Sequence, residues 1–147
     1  MSEPLSIRII REQDYRFTID FGAAFEPLLA DLPSPLGQDA GPSPEHLLAA
    51  AVANCLSASL VFALRKFRQD AGRMETVVNC TVGRNEQNRL RVTGIEAVLN
   101  LGRPAAEIEH LERVLGQFED FCTVSQSVQA GIPLTIHVED SHGQRLK

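Results

Sequence analysis

The sequence predicts an α+β domain in which an antiparallel sheet wraps around one long central helix. Three features predict it. Tyr15, Phe17, Ile19 and Phe21 alternate with Arg16, Thr18 and Asp20, the period of two of a half-buried strand. Residues 132–139 repeat that alternation near the other end, with Ile132, Leu134, Ile136 and Val138 inward. Between them, residues 47–64 (LLAAAVANCLSASLVFAL) carry no charge, as in a helix buried on nearly all sides.

Taken in order, residues 5–10 and 15–21 read as two strands joined by the polar turn Arg11-Glu12-Gln13-Asp14. Residues 27–31 add a short third strand. The loop LPSPLGQDAGPSP follows, with four prolines and two glycines from Leu32 to Pro44, and reads as an ordered connection of fixed shape. The long helix then starts sharply: Ser43 is a good N-cap, Pro44 suits the first helical position, and Glu45 is acidic in the first turn. Arg65, Lys66 and Arg68 complement the dipole at its far end, and Gly72 follows. From Glu45 to Phe67 the helix is about 34 Å long. Residues 74–83 and 89–101 form a hairpin across the loop 84–88. Pro104 opens a second helix with Ile108, Leu111, Leu115 and Phe118 on one face, and a short third helix after Cys122 stops at Gly131-Ile132-Pro133. No repeat, low-complexity tract or linker divides the chain, so residues 1–147 read as a single domain.

Composition narrows the function. A chain of 147 residues with 14 basic and 19 acidic side chains, net charge −5, has no Lys/Arg block and lacks the footprint of a nucleic-acid binder. At 44% hydrophobic it is too apolar to be disordered. Three cysteines without dense spacing point to a reducing, cytoplasmic setting, and residues 1–20 contain no apolar signal region. The uncharged run reaches the length of a membrane span, but six of its eighteen residues are Ala, and Asn54, Ser57 and Ser59 interrupt its apolar faces. A core helix, with no membrane partner, is the expectation.

Most chemical motifs are absent: there is no phosphate-binding Gly-rich loop, nucleophile-elbow serine, HExxH or CxxC. His46, His110, His137 and His142 show no ligand spacing, and neither a metal nor a cofactor is expected. Cys80 shares a strand face with Val78 and Val82 and reads as a small packed residue. Cys55 lies mid-helix, aligned with Leu48, Val52 and Phe62; alone it too reads as packing, and apolar burial would silence its thiol unless a nearby cation lowered its pKa. Cys122 begins a short helix, where a thiol's pKa falls.

The run Gly41-Pro42-Ser43-Pro44-Glu45-His46-Leu47-Leu48-Ala49-Ala50-Ala51-Val52-Ala53-Asn54-Cys55, with Cys122-Thr123-Val124-Ser125 some 67 residues later, resembles the OsmC/Ohr family, the osmotically inducible protein C and organic hydroperoxide resistance proteins. The resemblance extends over nearly the whole chain, and the Pro-rich loop places it with the general OsmC-like branch. It implies a thiol-dependent peroxidase that reduces organic hydroperoxides to alcohols. Carried over by motif, Cys55 is the peroxidatic cysteine and Cys122 the resolving one, with a dihydrolipoyl group or another thiol as reductant. Glu45 matches the family's helix-start glutamate. The family's arginine comes from the first hairpin, where Arg11 is the nearest match and Arg16 its rival. In this reading the arginine stabilises the thiolate and Glu45 holds the guanidinium.

Ten residues of helix set Glu45 about 15 Å from Cys55, too far to touch within one chain. If both serve one site, a second chain must bring its own Glu45, as in an isologous pairing of central helices at Ala49, Ala50 and Ala53. The intertwined homodimers of the family agree with that. An apolar lining from Leu47, Leu56 and Phe62 would favour bulky organic hydroperoxides. The competing reading is a non-catalytic member of the fold that holds a small apolar ligand at the dimer interface.

Overall fold

In the computed structural model, which describes residues 3–147, the chain runs β1 (Arg8–Gln13), β2 (Arg16–Asp20), β3 (Leu28–Ala30), α1 (Pro44–Lys66), β4 (Glu75–Arg84), β5 (Leu90–Asn100), α2 (Leu111–Gln117), α3 (Thr123–Val128) and β6 (Leu134–Glu139). Short 3-10 turns lie at Ala105–Glu107 and Phe118–Phe121. The α+β class is as predicted, with two three-stranded sheets, β1-β2-β3 and β4-β5-β6, and a long helix between them in sequence. The chain forms two compact units, one ending at Leu48 and one running from Ala49 to Lys147.

In the first unit β1 and β2 pair antiparallel, from Arg8 opposite Asp20 to Gln13 opposite Arg16. Asp14 reverses the chain at φ 47°, a left-handed conformation that Asp tolerates. That fixes the turn later than the sequence suggested, so β1 spans Arg8–Gln13 and Arg11 sits within the strand instead of the turn. β3 pairs with β2, Phe17 opposite Ala30.

Asp31 organises the Pro-rich loop. Its Oδ1 accepts from the Leu32 amide at 2.8 Å, and Oδ2 accepts from the amides of Gln38 and Ala40 at 3.1 and 3.2 Å. Arg16 closes the cluster, donating to Gln38 Oε1 at 2.6 Å with its Nε 4.0 Å from Asp31 Oδ2. A Cβ on Gly37 would stand 2.1 Å from the Leu32 carbonyl oxygen, so the tight loop excludes a side chain there. The ordered connection read from the sequence is thus held by one buried carboxylate.

The start of α1 follows the sequence: Ser43 Oγ accepts from the His46 amide at 3.4 Å, and the Ser43 carbonyl accepts from Leu47 at 3.1 Å. Its end does not wait for Gly72. Arg68 takes the left-handed position (φ 57°), and the Gln69 amide donates to the Leu64 carbonyl at 2.9 Å, closing a Schellman motif.

In the second unit α1 buries Val52, Leu56, Leu60, Ala63 and Leu64, and the sheet contributes Ile95, Ala97, Leu99 and Val138 to the core. The Ser57 hydroxyl, bonded back to the Ala53 carbonyl at 2.7 Å, also meets Thr76 Oγ1 of β4 at 2.6 Å, which fixes the face α1 turns to the sheet. A three-stranded sheet covers one side of a helix. Ala50, Ala51, Asn54, Ala58 and Phe62 therefore remain exposed, which corrects the expectation of a helix buried on nearly all sides. By length and apolarity α1 would cross a bilayer, but 44% of its most apolar stretch is already buried within the protein.

β4 and β5 form the expected antiparallel hairpin, with a bulge between Thr81 and Val82. β6 joins β5 in parallel, Ile95 opposite Leu134 and Asn100 opposite Glu139, so the sheet is mixed rather than wholly antiparallel. The stretch carrying α2 and α3 between those strands is long enough for a parallel crossover. The helix expected from Pro104 is broken: a 3-10 turn comes first, His110 takes φ 60°, and only then does α2 begin. Ile108, Leu115 and Phe118 are buried as read.

Candidate functional site

Two of the predicted site residues are brought together. Cys55 projects half-buried from the middle of α1, and Cys122, 0% exposed, is the N-cap of α3 with φ −88° and ψ 96°. Cys122 Sγ accepts from the Ser125 amide at 3.4 Å, as a capping side chain does, and the Cys122 carbonyl accepts from Gln126 at 3.0 Å. The same cap geometry turns the Cys122 thiol to Cys55, with which it shares a side-chain hydrogen bond. No disulfide joins Cys55 to Cys122.

The surroundings of the two sulfurs act in opposite directions. Burial pushes the Cys55 thiol up, but hydrogen bonds from the Cys122 side chain, the Val124 amide, the Ser59 hydroxyl and the Thr123 amide outweigh it and lower its pKa. For Cys122, burial raises the pKa, contacts from Ser125 pull down, and the hydrogen bond to and negative charge of Cys55 push it up again; the net shift is upward. Cys55 is therefore the more acidic of the two thiols and Cys122 the less acidic. The sequence reading required a cation to wake a buried Cys55. Within the second unit, neutral donors lower its pKa.

Ser59 and the amides of Thr123 and Val124 were not singled out from the sequence. Ser59 had a signal: it lies four residues after Cys55 and so on the same helical row. The amides had none, because their role depends on α3 docking against α1. An aromatic pair adjoins the thiols. Phe62, two turns along α1 from Cys55, meets Phe121, next to Cys122, edge to face at 5.2 Å between centroids, and Lys66 Nζ lies 4.7 Å from the Phe121 ring. Phe62 is 53% exposed, so it offers an apolar surface as expected; Leu56 is fully buried in the core and cannot line a site.

Glu45 and Arg11 belong to the first unit. Glu45 stands half-exposed in the first turn of α1 and has no ion-pair partner among the described residues. Arg11 is exposed on β1, its Nε donating to the Asp14 carbonyl at 2.9 Å. Arg16 is half-buried, and its Nε has no hydrogen-bond partner although it is shielded from solvent. It lines a cavity of about 90 Å³ with Gln13, Asp14, Asp31, Leu36 and Gln38. Of the three alanines read as a helix-pairing surface, Ala49 and Ala53 are buried within the chain and only Ala50 is exposed. Cys80 lies opposite Ile95 on β4, half-buried. Among the described residues no three His, Cys, Asp or Glu side chains cluster in a way that would hold a metal ion.

A family model described as OsmC-like protein matches residues 37–137. Among solved structures the chain is similar to an OsmC-like protein from Mycoplasma pneumoniae, with TM-score 0.79 and 14% identity over 97% of this chain and 100% of that one. It is also similar to an organic hydroperoxide resistance protein from Elizabethkingia anophelis, with TM-score 0.74 and 16% identity over 95% and 99% of the two chains. The organic hydroperoxide resistance protein OhrB of Bacillus subtilis gives TM-score 0.69 and 17% identity over 91% and 98%. No curated protein matches significantly by sequence. At these identities the likeness to the solved structures is one of fold.

Proposed function

The chain belongs to the OsmC-like protein family, and from that membership and its paired thiols we propose that it is a thiol-dependent peroxidase that reduces organic hydroperoxides to alcohols. The observation that carries the reading is the hydrogen bond between Cys122 and a Cys55 sulfur of lowered pKa. A thiolate is the nucleophile such chemistry needs, and a second thiol already in contact is what ends it cleanly.

The steps balance as follows. The Cys55 thiolate attacks the terminal oxygen of the hydroperoxide, the O–O bond breaks, and the alkoxide takes a proton to leave as alcohol. Cys55 is then a sulfenic acid. Cys122 gives up its proton and attacks the Cys55 sulfur, releasing water and forming the Cys55–Cys122 disulfide. An external dithiol, a dihydrolipoyl group or another thiol, returns both residues to thiols. Capture by Cys122 before a second peroxide arrives keeps oxidation at its reversible stage. The exposed Phe62–Phe121 pair supports an organic substrate over hydrogen peroxide.

Glu45 and a hairpin arginine complete the proposed site in the roles the family assigns. Arg16 is the stronger arginine on its own surroundings, because Gln38 and Asp31 already hold its guanidinium, whereas Arg11 stands in solvent. Arg11→Ala and Arg16→Lys decide between them by which one lowers peroxide turnover. The protein acts as a homodimer in the cytoplasm in this reading. The uncharged α1 face at Ala50, Ala51, Asn54, Ala58 and Phe62 supports a second copy as its cover. That exposed aromatic surface is also what favours the competing reading, an apolar-ligand binder without turnover.

Single-turnover titration of the reduced protein with cumene hydroperoxide tests the proposal. Rapid loss of two thiols with a Cys55–Cys122 bridge in the mass spectrum is expected. Cys55→Ser abolishes turnover, and Cys122→Ser stops at the sulfenic acid. Full turnover in Cys55→Ser would sink the peroxidase reading.

A further inference from the structure

Ser59 is a polar residue in an apolar place. It is 5% exposed, flanked on α1 by Leu56, Leu60 and Ala63, all fully buried. A hydroxyl removed from water there is costly unless it is hydrogen-bonded. Helix propensity gives no reason for it, since Ala is the better helix former and the same helix uses Ala at positions 49, 50, 51, 53, 58 and 63. The usual solution for a mid-helix serine is the bond back to the carbonyl four residues earlier, which Ser57 makes to Ala53. Ser59 makes no such bond in α1; it stands one turn after Cys55 on the same row of the helix, where side chains four apart are neighbours, and its hydroxyl contributes to lowering the Cys55 pKa.

We propose that Ser59 is a hydrogen-bond donor to the reacting sulfur of Cys55, fixing its orientation on α1 and sharing its negative charge with the Cys122 thiol and the Thr123 and Val124 amides. This deepens the peroxidase reading, and it rests on that reading only for the identity of the reaction. The donors approach from two sides. Cys122, Thr123 and Val124 come from α3 and its cap, and Ser59 comes from α1 itself. When Cys122 leaves to form the disulfide, or when α3 shifts to let it do so, the donor on the helix stays in place. Ser59 thus holds the sulfur through the step in which the other donors move. Among the described residues the titratable group facing the Cys55 sulfur is Cys122; of the two cations in the last turn of α1, Lys66 is engaged over the Phe121 ring.

The test reads the thiol directly. Alkylation of Cys55 by iodoacetamide is followed by mass spectrometry against pH in the reduced wild type, Ser59→Ala, Ser59→Thr and Ser57→Ala. Ser59→Ala is expected to move the midpoint upward and slow labelling at neutral pH by roughly three- to tenfold, the scale of one ordinary hydrogen bond. Ser59→Thr, which keeps the hydroxyl, restores most of the rate. Ser57→Ala loses its bond to Thr76 yet leaves the profile in place. A structural role alone would lower Tm without moving the midpoint, so a Ser59→Ala profile that overlays the wild type overturns the proposal. Peroxide consumption is measured separately. A shifted midpoint in a protein that consumes no peroxide would keep Ser59 as donor and remove the peroxidase.

Discussion

The side chains of Cys55 and Cys122 meet, and the contact shifts the acidities of the two residues in opposite directions. Burial raises both, but Cys55 collects four donors, whereas Cys122 faces the charge that Cys55 carries. The pair titrates as a unit in which the first proton leaves Cys55.

Selective alkylation follows from that order. With limiting iodoacetamide near neutral pH, label is expected on Cys55 well ahead of Cys122, because a lowered pKa raises the thiolate fraction at any given pH and a raised one reduces it. As pH rises, Cys122 gains ground. Cys122→Ala removes a donor and moves the Cys55 midpoint upward, whereas Cys122→Ser, which keeps a hydroxyl there, moves it less. Equal labelling of the two residues at neutral pH would contradict the assignment of charge.

The exposed face of α1 makes a prediction about assembly. Ala58 lies at its centre, exposed, three residues from Cys55. If a second copy covers the face, Ala58→Glu buries an unpaired charge at the contact and splits the pair. Light scattering is expected to give twice 16.1 kDa for the wild type and the single mass for the variant, with peroxide turnover lost along with the dimer. A wild-type protein that is monomeric at micromolar concentration would remove the helix pairing.

What the sequence could and could not reveal divides along the range of the forces involved. The start of α1 was legible because Ser43, Pro44 and Glu45 act on their own first turn. The hairpin of β4 and β5 was legible from alternation and a turn. The direction of β6 was not, because a period of two is the same in parallel and antiparallel pairing. The break at His110 was hidden because Ile108, Leu111, Leu115 and Phe118 keep helical spacing across it. At the site, 67 residues of sequence separate Cys55 from Cys122, and only the family resemblance joined them. Ser59 was visible on the right row, yet nothing local distinguished it from Ser57.

Asp140 gives a pH-dependent prediction. The buried carboxylate of Asp140 accepts from the Ala105 amide at 3.0 Å and from the His142 and Gln144 amides at 2.9 Å, tying the 3-10 turn after β5 to the end of β6. The bond from Ala105 is the largest cause of its lowered pKa; burial opposes it, and the Gln144 and His142 amides and the His142 charge add to it. A depressed folded pKa means the stabilisation is complete above the ordinary Asp value of about 3.9 and is lost as pH falls through the lower folded value. Asp140→Asn is therefore expected to melt below the wild type at pH 7, with the gap closing toward acid pH. A gap that stays constant from pH 7 down to acid pH would show that the charge is not what matters.

Phe118 provides the final prediction because it joins the core to the placement of Cys122. It is fully buried at the start of the 3-10 turn Phe118–Phe121, and one residue on, the Glu119 carbonyl accepts from the Cys122 amide at 3.0 Å. Lys147 braces the same turn. Its Nζ pairs with Glu119, donates to the Leu115 carbonyl at 2.9 Å and lies 5.3 Å from the Phe118 ring. Phe118→Ala leaves a cavity expected to cost about 3–5 kcal/mol. Lys147→Ala removes a half-exposed ion pair worth about 1 kcal/mol or less. If the turn is what holds Cys122 against Cys55, the two variants should diverge after one equivalent of peroxide, under conditions where both stay folded. Phe118→Ala then forms the Cys55–Cys122 bridge several-fold more slowly and accumulates the Cys55 sulfenic acid, while Lys147→Ala closes it at close to the wild-type rate. Bridge formation at the wild-type rate in folded Phe118→Ala would mean that α3 holds Cys122 without help from the turn before it.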